Sequence, residues 1–402
     1  MGASKKKAKH EIDPASVRGV KYLRRVFELL EPLAPAGCER DKAGNRQLLY
    51  SQYAGLILLG LFNPTLQSLR GLSEASGLRK VQRALKGPRV SLGSLSESVR
   101  VFNPADLIPV IDELLGAVPQ THSNPISHHV PDDLVRRLVA VDGTALRVLP
   151  QLVWASQGTG KWRMHLHYEI LRGLPEQAIV TEDEIGGAAD ERSVLAGSLK
   201  PDRVYVADRG YERYSLLEQI VKAESDYVIR VQRRPMEVLE ELPLSSADRA
   251  AGVQSDELVQ PGQSRGDVGL VTHSVRRIVI EGGVPQRPSR PGKLRSEEVV
   301  LLTNLRDVPA EVIAGVYRLR WTIELFFRFF KHVLGCRHLL SDDPRGIAIQ
   351  TYMAIIACML ISLTTGHKPT LRTYEMLCYY FTGLADEEEL LAHLAKLQKH
   401  DA

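Results

Sequence analysis

The segment DRVYVADRGYERYSLLEQIVKAESDYVIRVQ, residues 202–232, decides the fold. It opens on a β-branched and aromatic run that ends at Asp208, the pattern of a short buried strand. YSLLEQIVKAE then repeats apolar residues at helical spacing, and DYVIRVQ returns to a strand pattern. Strand, helix and strand in that order define an α/β layer. The neighbouring sequence extends it. LVRRLVAVDGTAL (134–146) holds a strand-like run ending at Asp142, KWRMHLHYEI (161–170) alternates as a strand should, QAIVTE is a further strand candidate, and DERSVLAGSL is helical.

Downstream, residues 233–297 break the pattern with short strand candidates punctuated by Gly and Pro, which predicts a β-rich insertion. Its end, GVPQRPSRPGKLRS, carries Arg287, Arg290 and Lys293 and no acid, a candidate DNA-binding stretch. EVVLLTNL (298–305) resumes the core strands, and a long helix is expected from about Pro309 to Leu334.

Residues 1–130 read as a helical N-terminal region and 346–402 as a helical C-terminal region, flanking a catalytic domain over 131–345. The first 25 residues carry eight Lys or Arg against Glu11 and Asp13, a basic arm. Within 65–102, two helical patterns flank Gly77, and the second holds Arg79, Lys80 and Arg83. That resembles a helix-turn-helix and makes these residues candidates for DNA contact.

Bulk composition sets wide limits. The chain has 402 residues, 44% hydrophobic and 25% charged, with a net charge of +4. These are ordinary values for a globular protein and allow an anionic partner without requiring one. The four cysteines show no paired spacing, and no signal peptide is evident, so a reducing cytoplasm is the expected compartment. IAIQTYMAIIACMLISLTTG (347–366) is apolar enough to resemble a membrane span but carries several polar residues, and is read as a buried core helix, not a membrane segment.

Asp142 and Asp208 each end an apolar strand, where ligands gather in open α/β sheets. YRLRWTIELFFRFFKH (317–332) supplies the third element. On a helical wheel Tyr317, Arg320, Glu324, Arg328 and Lys331 share a stripe roughly 80° wide, and Leu and Phe fill the rest. A helix apolar over so much of its circumference is packed on more than one side. Its polar stripe also suits i,i+4 ion pairing on an exposed helix, and only the two aspartates tilt the balance towards a site. Three carboxylates of this kind suit Mg²⁺ or Mn²⁺, two ions being the usual complement in phosphoryl transfer. Arg320, Arg328 and Lys331 would then hold neighbouring phosphates.

These motifs resemble those of DDE transposases of bacterial insertion sequences, in the branch with a YREK signature. Tyr317, Arg320, Glu324 and Lys331 match its spacing of two, three and six intervening residues, with Asp142-Gly143-Thr144 and the DRGY of Asp208 to Tyr211 as the two Asp motifs. The resemblance covers roughly 135–335. It implies a ribonuclease H-like catalytic core with a β-rich insertion between the second Asp and the Glu. It further implies metal held by Asp142, Asp208 and Glu324, nicking at the ends of an element, and transfer of the freed 3′-OH to target DNA. By the same resemblance Tyr317, Arg320, Lys331 and Arg209 contact DNA phosphates. The partners implied are the double-stranded terminal repeats and target DNA, with a homodimer acting at the nucleoid. A nuclease without strand transfer and a silent DNA-binding protein are the alternatives. The three Trp, at 154, 162 and 321, lie outside 209–310, where some relatives stack a flipped base. Base flipping therefore uses another residue, such as Tyr211, or does not occur.

Three further features take the plainer reading. His165 and His167 are strand-packing residues, His332, Cys336 and His338 lack a fourth ligand for zinc, and Trp321 is read as core.

Overall fold

The computed structural model describes residues 27–33, 46–118, 130–147, 161–182, 189–261, 271–282, 298–334 and 339–400. The basic arm and the stretch with Arg287, Arg290 and Lys293 lie outside the described residues, as do Cys336 and His338. The chain folds as two compact units.

One unit is helical and draws on both ends of the chain. Its N-terminal part contains α1 (Tyr50–Leu61), α2 (Leu69–Ser76), α3 (Arg79–Leu85), α4 (Leu92–Val101) and α5 (Ile108–Ala117). The Tyr50 ring stacks on Phe102 at 4.6 Å, and its hydroxyl donates to the Asn103 carbonyl at 2.8 Å. The C-terminal helices Pro344–Thr365 and Leu371–Thr382 pack on this part, and the Tyr374 hydroxyl donates to the Leu61 carbonyl at 2.6 Å. Pro344–Thr365 is the apolar segment singled out above. It is the one described helix long and apolar enough to cross a membrane, and 89% of its apolar window is buried inside the protein. Arg79, Lys80 and Arg83 are all exposed on α3, a seven-residue helix with no buried residue.

The second unit is built on a nine-stranded sheet. Its strands are β1 (Leu138–Arg147), β2 (Lys161–Glu169), β3 (Leu174–Glu182), β4 (Val204–Ala207), β5 (Asp226–Val231), β6 (Glu237–Glu241), β7 (Val253–Gln260), β8 (Val275–Ile280) and β9 (Val299–Thr303), in the order β3-β2-β1-β4-β5-β9-β8-β7-β6. β1, β4 and β5 run parallel, while β9 returns antiparallel to β5. The first five strands have the order of a ribonuclease H-like core. The sheet is buried where the sequence is most apolar, with Val204, Val206, Tyr227 and Ile229 inaccessible. Arg137 ties the start of this layer together, bonding Asp226 at 2.5 Å and Asp202 at 2.8 Å.

The described residues of the stretch 233–297 hold β6, β7 and β8, the β-rich insertion expected, and these strands are continuous with the core sheet, joined edge to edge through β8 and β9. A buried arginine fastens it. Arg276 on β8 forms a bidentate pair with Asp256 on β7 (2.7 and 2.6 Å) and donates to the carbonyls of Leu305, Arg306 and Val308. Those three residues lie in the turn that leads into the carboxylate-bearing helices.

The expected single helix over 309–334 is a correction. It is broken into Ala310–Leu319 and Trp321–Arg328, followed by a π-helical turn over Phe329–Val333. At the break, Arg320 N–H reaches Tyr317 O and Ile323 N–H reaches Arg320 O, both i to i+3 bonds that tighten the turn. The Thr322 hydroxyl takes up the Leu319 carbonyl at 2.7 Å. The break re-phases the helix, and Trp321, read from the sequence as core, is 52% exposed.

His165 and His167 are buried on β2, bonded to Thr181 and Ser198 respectively. Burial pushes the His167 imidazole down to about 4. Its folded value lies below its unfolded one, so its contribution to stability is present above about pH 6.5 and lost as pH falls towards 4, up to roughly 3 kcal/mol. Urea unfolding at pH 7, 5.5 and 4.5 should show a shallower acid loss in His167→Gln than in wild type. Equal losses would rule this out.

Candidate active site

The parallel register explains how the two aspartates meet. β1 and β4 pair Leu138 with Val204, Val139 with Tyr205 and Ala140 with Val206. Carried on by two residues, that register sets Asp142 opposite Asp208 on neighbouring strands, which run about 4.8 Å apart. Alternation places Asp142 on the face of Ala140, and Asp208 on the face of Val206. Asp208 directly follows β4, whereas β1 continues past Asp142 to Arg147, so Asp142 lies within its strand and not at its end.

Each carboxylate is held by a backbone amide of its own motif. Asp142 accepts from the Gly143 amide at 2.7 Å, and Asp208 accepts from the Gly210 amide at 2.8 Å. Arg320 then joins the helix to the sheet. One guanidinium nitrogen donates to Glu324 at 2.5 Å, and the other lies 3.7 Å from Asp142. Asp142, Asp208, Arg320, Glu324 and Tyr317 thus belong to one cluster in the sheet unit. Burial pushes Asp142 up to about 6; Asp208 and Glu191 add to the rise, and the Gly143 amide and Arg320 oppose it. Burial also raises Tyr317, against the pull of Arg320 and Arg230.

Among the described residues, no three His, Cys, Asp or Glu side chains close up as a ready metal-binding group. Arg320 stands between Asp142 and Glu324 and provides the positive charge there. The donor set still fits a hard divalent cation. It consists of carboxylate oxygens, and Asp142, lifted mainly by burial and further by the charge of Asp208, is a group whose charged form a cation would favour.

Other expected residues are placed differently. Arg209 is exposed beside Asp208, and Arg328 is exposed on Trp321–Arg328. Lys331 falls in the π-helical turn that follows, within the helical unit. Tyr211 is corrected: its ring is 1% exposed and packs in the core beneath the sheet, so it presents no face for a base to stack on.

Two site residues escaped the sequence reading. Arg230 pairs at the same level as Asp208, since β4 and β5 match Val206 with Val228 and Ala207 with Ile229. Its signal was present in DYVIRVQ as the one charged residue inside an apolar strand. Glu191 opens the helix Glu191–Ala196, bonds Arg163 on β2, and lies against the glycines of both aspartate motifs. An acidic residue in a first helical turn is ordinary, so nothing in the sequence marked it.

The sheet thus carries two aspartates on neighbouring strands, and Arg320 links the first of them to a glutamate on the helix. The chain belongs to the transposase DDE domain family, whose profile matches residues 133–360. It is 25% identical over 227 residues to a Sinorhizobium fredii protein named as the transposase y4zB, covering 56% of this chain and 59% of that one. It is also 25% identical over 252 residues to the Escherichia coli transposase for insertion sequence element IS421, covering 56% and 65%. The match therefore spans about three fifths of the length of these relatives. A solved structure of the piggyBac transposase synaptic complex with hairpin DNA matches with a TM-score of 0.43 at 11% identity, covering 98% of this chain and 86% of that one.

Proposed function

We propose that this chain is a DNA transposase that nicks double-stranded DNA at the ends of an insertion element and joins the freed 3′-OH to target DNA. The observation that supports it most is the placement of Asp142 opposite Asp208 on neighbouring parallel strands, with Arg320 linking Asp142 to Glu324, in a sheet of ribonuclease H order. Asp142, Asp208 and Glu324 would hold Mg²⁺ or Mn²⁺, two ions by the usual pattern of such sites, which polarise the scissile phosphate and lower the pKa of the attacking group.

The chain's own residues then do the positioning. The Gly143 and Gly210 amides aim the aspartates, and Arg320 holds Glu324 with the guanidinium that also faces Asp142. In the first step a water oxygen attacks phosphorus and the 3′ oxygen leaves as a hydroxyl. In the second, that hydroxyl attacks a target phosphodiester and displaces another 3′ oxygen. Arg320, Arg209, Lys331 and Tyr317 are the groups we assign to the flanking phosphates, with exposed Arg79, Lys80 and Arg83 contacting DNA farther away. An element has two ends, which is the reason to expect two copies of the chain in the working complex. Residues 131–345 serve as the catalytic domain in this reading.

The test uses DNA ending in the element's inverted repeats. With Mg²⁺, nicking at the repeat boundary is expected, and precut ends bearing a 3′-OH should be joined to a target. No nicking in Mg²⁺ or Mn²⁺ would overturn the reading, and nicking without joining of precut ends would reduce it to a nuclease.

A further inference from the structure

Glu191 lies beside the glycine of each aspartate motif. A Cβ built on Gly143 would fall 2.5 Å from one oxygen of its carboxylate, and a Cβ on Gly210 would fall 3.4 Å from the other. Gly143 follows Asp142 directly, and Gly210 supplies the amide that holds Asp208. One carboxylate therefore fills the space beside Gly143 and reaches towards Gly210. It is itself held: Arg163, projecting from β2, bonds to it, and both side chains are largely shielded, at 32% and 21% exposure. The neighbouring Asp190 is occupied elsewhere, paired with Arg192 and Arg213, so it does not share the task.

We infer that Glu191 is a positioning residue, a strut braced by Arg163 that sets the spacing of Asp142 and Asp208 through the backbone at Gly143, within β1, and at Gly210, after β4. This rests on the proposed reading of the two aspartates as the cation-holding pair. It also assigns a reason to Gly143: a larger residue there would have to occupy the strut's place, whereas at Gly210 the nearer group is the Asp208 carboxylate, at 3.0 Å. Because the contact is one of shape, a side chain of the same length without charge should serve nearly as well as Glu, whereas a truncated one should not.

The experiment measures Mn²⁺ binding to the full chain by electron paramagnetic resonance without DNA, single-turnover nicking of inverted-repeat DNA, and the melting temperature. Glu191→Ala is expected to weaken Mn²⁺ binding and slow nicking about 10- to 100-fold, the usual cost of losing an outer-shell partner. Glu191→Gln should recover most of the Mn²⁺ affinity. Gly143→Ala, whose methyl would take the place of the Glu191 carboxylate, should reproduce the Ala phenotype in the wild-type background and add little to Glu191→Ala, where that place is already empty. Wild-type Mn²⁺ affinity in Glu191→Ala would overturn the inference, and so would a Gln variant as weak as the Ala variant, which would make the charge the active property. If Glu191→Ala does not fold, Gly143→Ala decides alone: unchanged Mn²⁺ affinity there overturns the strut. Asp142→Ala run in parallel separates the two levels, because Mn²⁺ binding that survives it disproves the site assignment itself.

Discussion

Exchanging Glu324 for Ala is expected to lower nicking at element ends by roughly a hundredfold at the least, since outer-shell partners of metal ligands already cost 10- to 100-fold. The variant removes one of the three carboxylates proposed to hold the cation and also frees Arg320. That guanidinium now donates to Glu324 at 2.5 Å and lies 3.7 Å from Asp142. Without Glu324 it is left with Asp142 as its carboxylate partner, and an arginine bound there competes with a cation for the same oxygens. Stability should hardly change, because an i,i+4 pair at a partly exposed position contributes only about 0.2–0.5 kcal/mol. Glu324→Gln sharpens the test. It can still accept from Arg320 and keeps the helix surface, yet it binds a divalent cation poorly, so nicking should fall almost as far with melting unchanged. Nicking within a few-fold of wild type in either variant would remove Glu324 from the site.

Arg276→Ala should act in the opposite way, mainly on stability. The side chain is buried, pairs with both oxygens of buried Asp256, and gives its remaining nitrogen to three backbone carbonyls. Truncation leaves Asp256 as a buried charge with no counterion, and those carbonyls lose this donor. Breaking a buried pair on one side costs about 3–5 kcal/mol, which for a domain of this size lowers the melting temperature by on the order of 10 °C. Removing both charges, as in Arg276→Met with Asp256→Leu, should cost much less, because no lone charge remains. A loss below about 1 kcal/mol for the single variant would show that the pair is not the fastening described, by the measure that defines a buried pair.

The parts of this architecture that were legible in the sequence are those governed by short-range pattern. The runs before Asp142 and Asp208 are apolar and β-branched, so they announce strands, and the polar stripe around Glu324 follows from a period of 3.6. What periodicity assumes, it cannot test. The wheel treats 317–331 as one helix, and the i to i+3 bonds at Arg320 break that assumption and expose Trp321. Tyr211 is a candidate for base stacking in the sequence because no Trp lies in 209–310, yet a 3-10 turn tucks its ring into the core. Glu191 and Arg230 stayed hidden for a different reason. The place of Arg230 depends on which residue stands opposite on the neighbouring strand, that of Glu191 on where its helix packs, and both are long-range properties.

The union of the insertion with the core sheet also settles what the sheet's outer border looks like. Without β8, the strand β9 would show a free row of amides and carbonyls to any passing chain. The border is instead β6, whose EVLEE sequence is exposed along its whole length and carries Glu237, Glu240 and Glu241. Acidic side chains on a terminal strand repel a second sheet edge and the phosphates of DNA alike. Copies of this chain are thereby discouraged from joining strand to strand, and nucleic acid is turned away from that margin of the molecule.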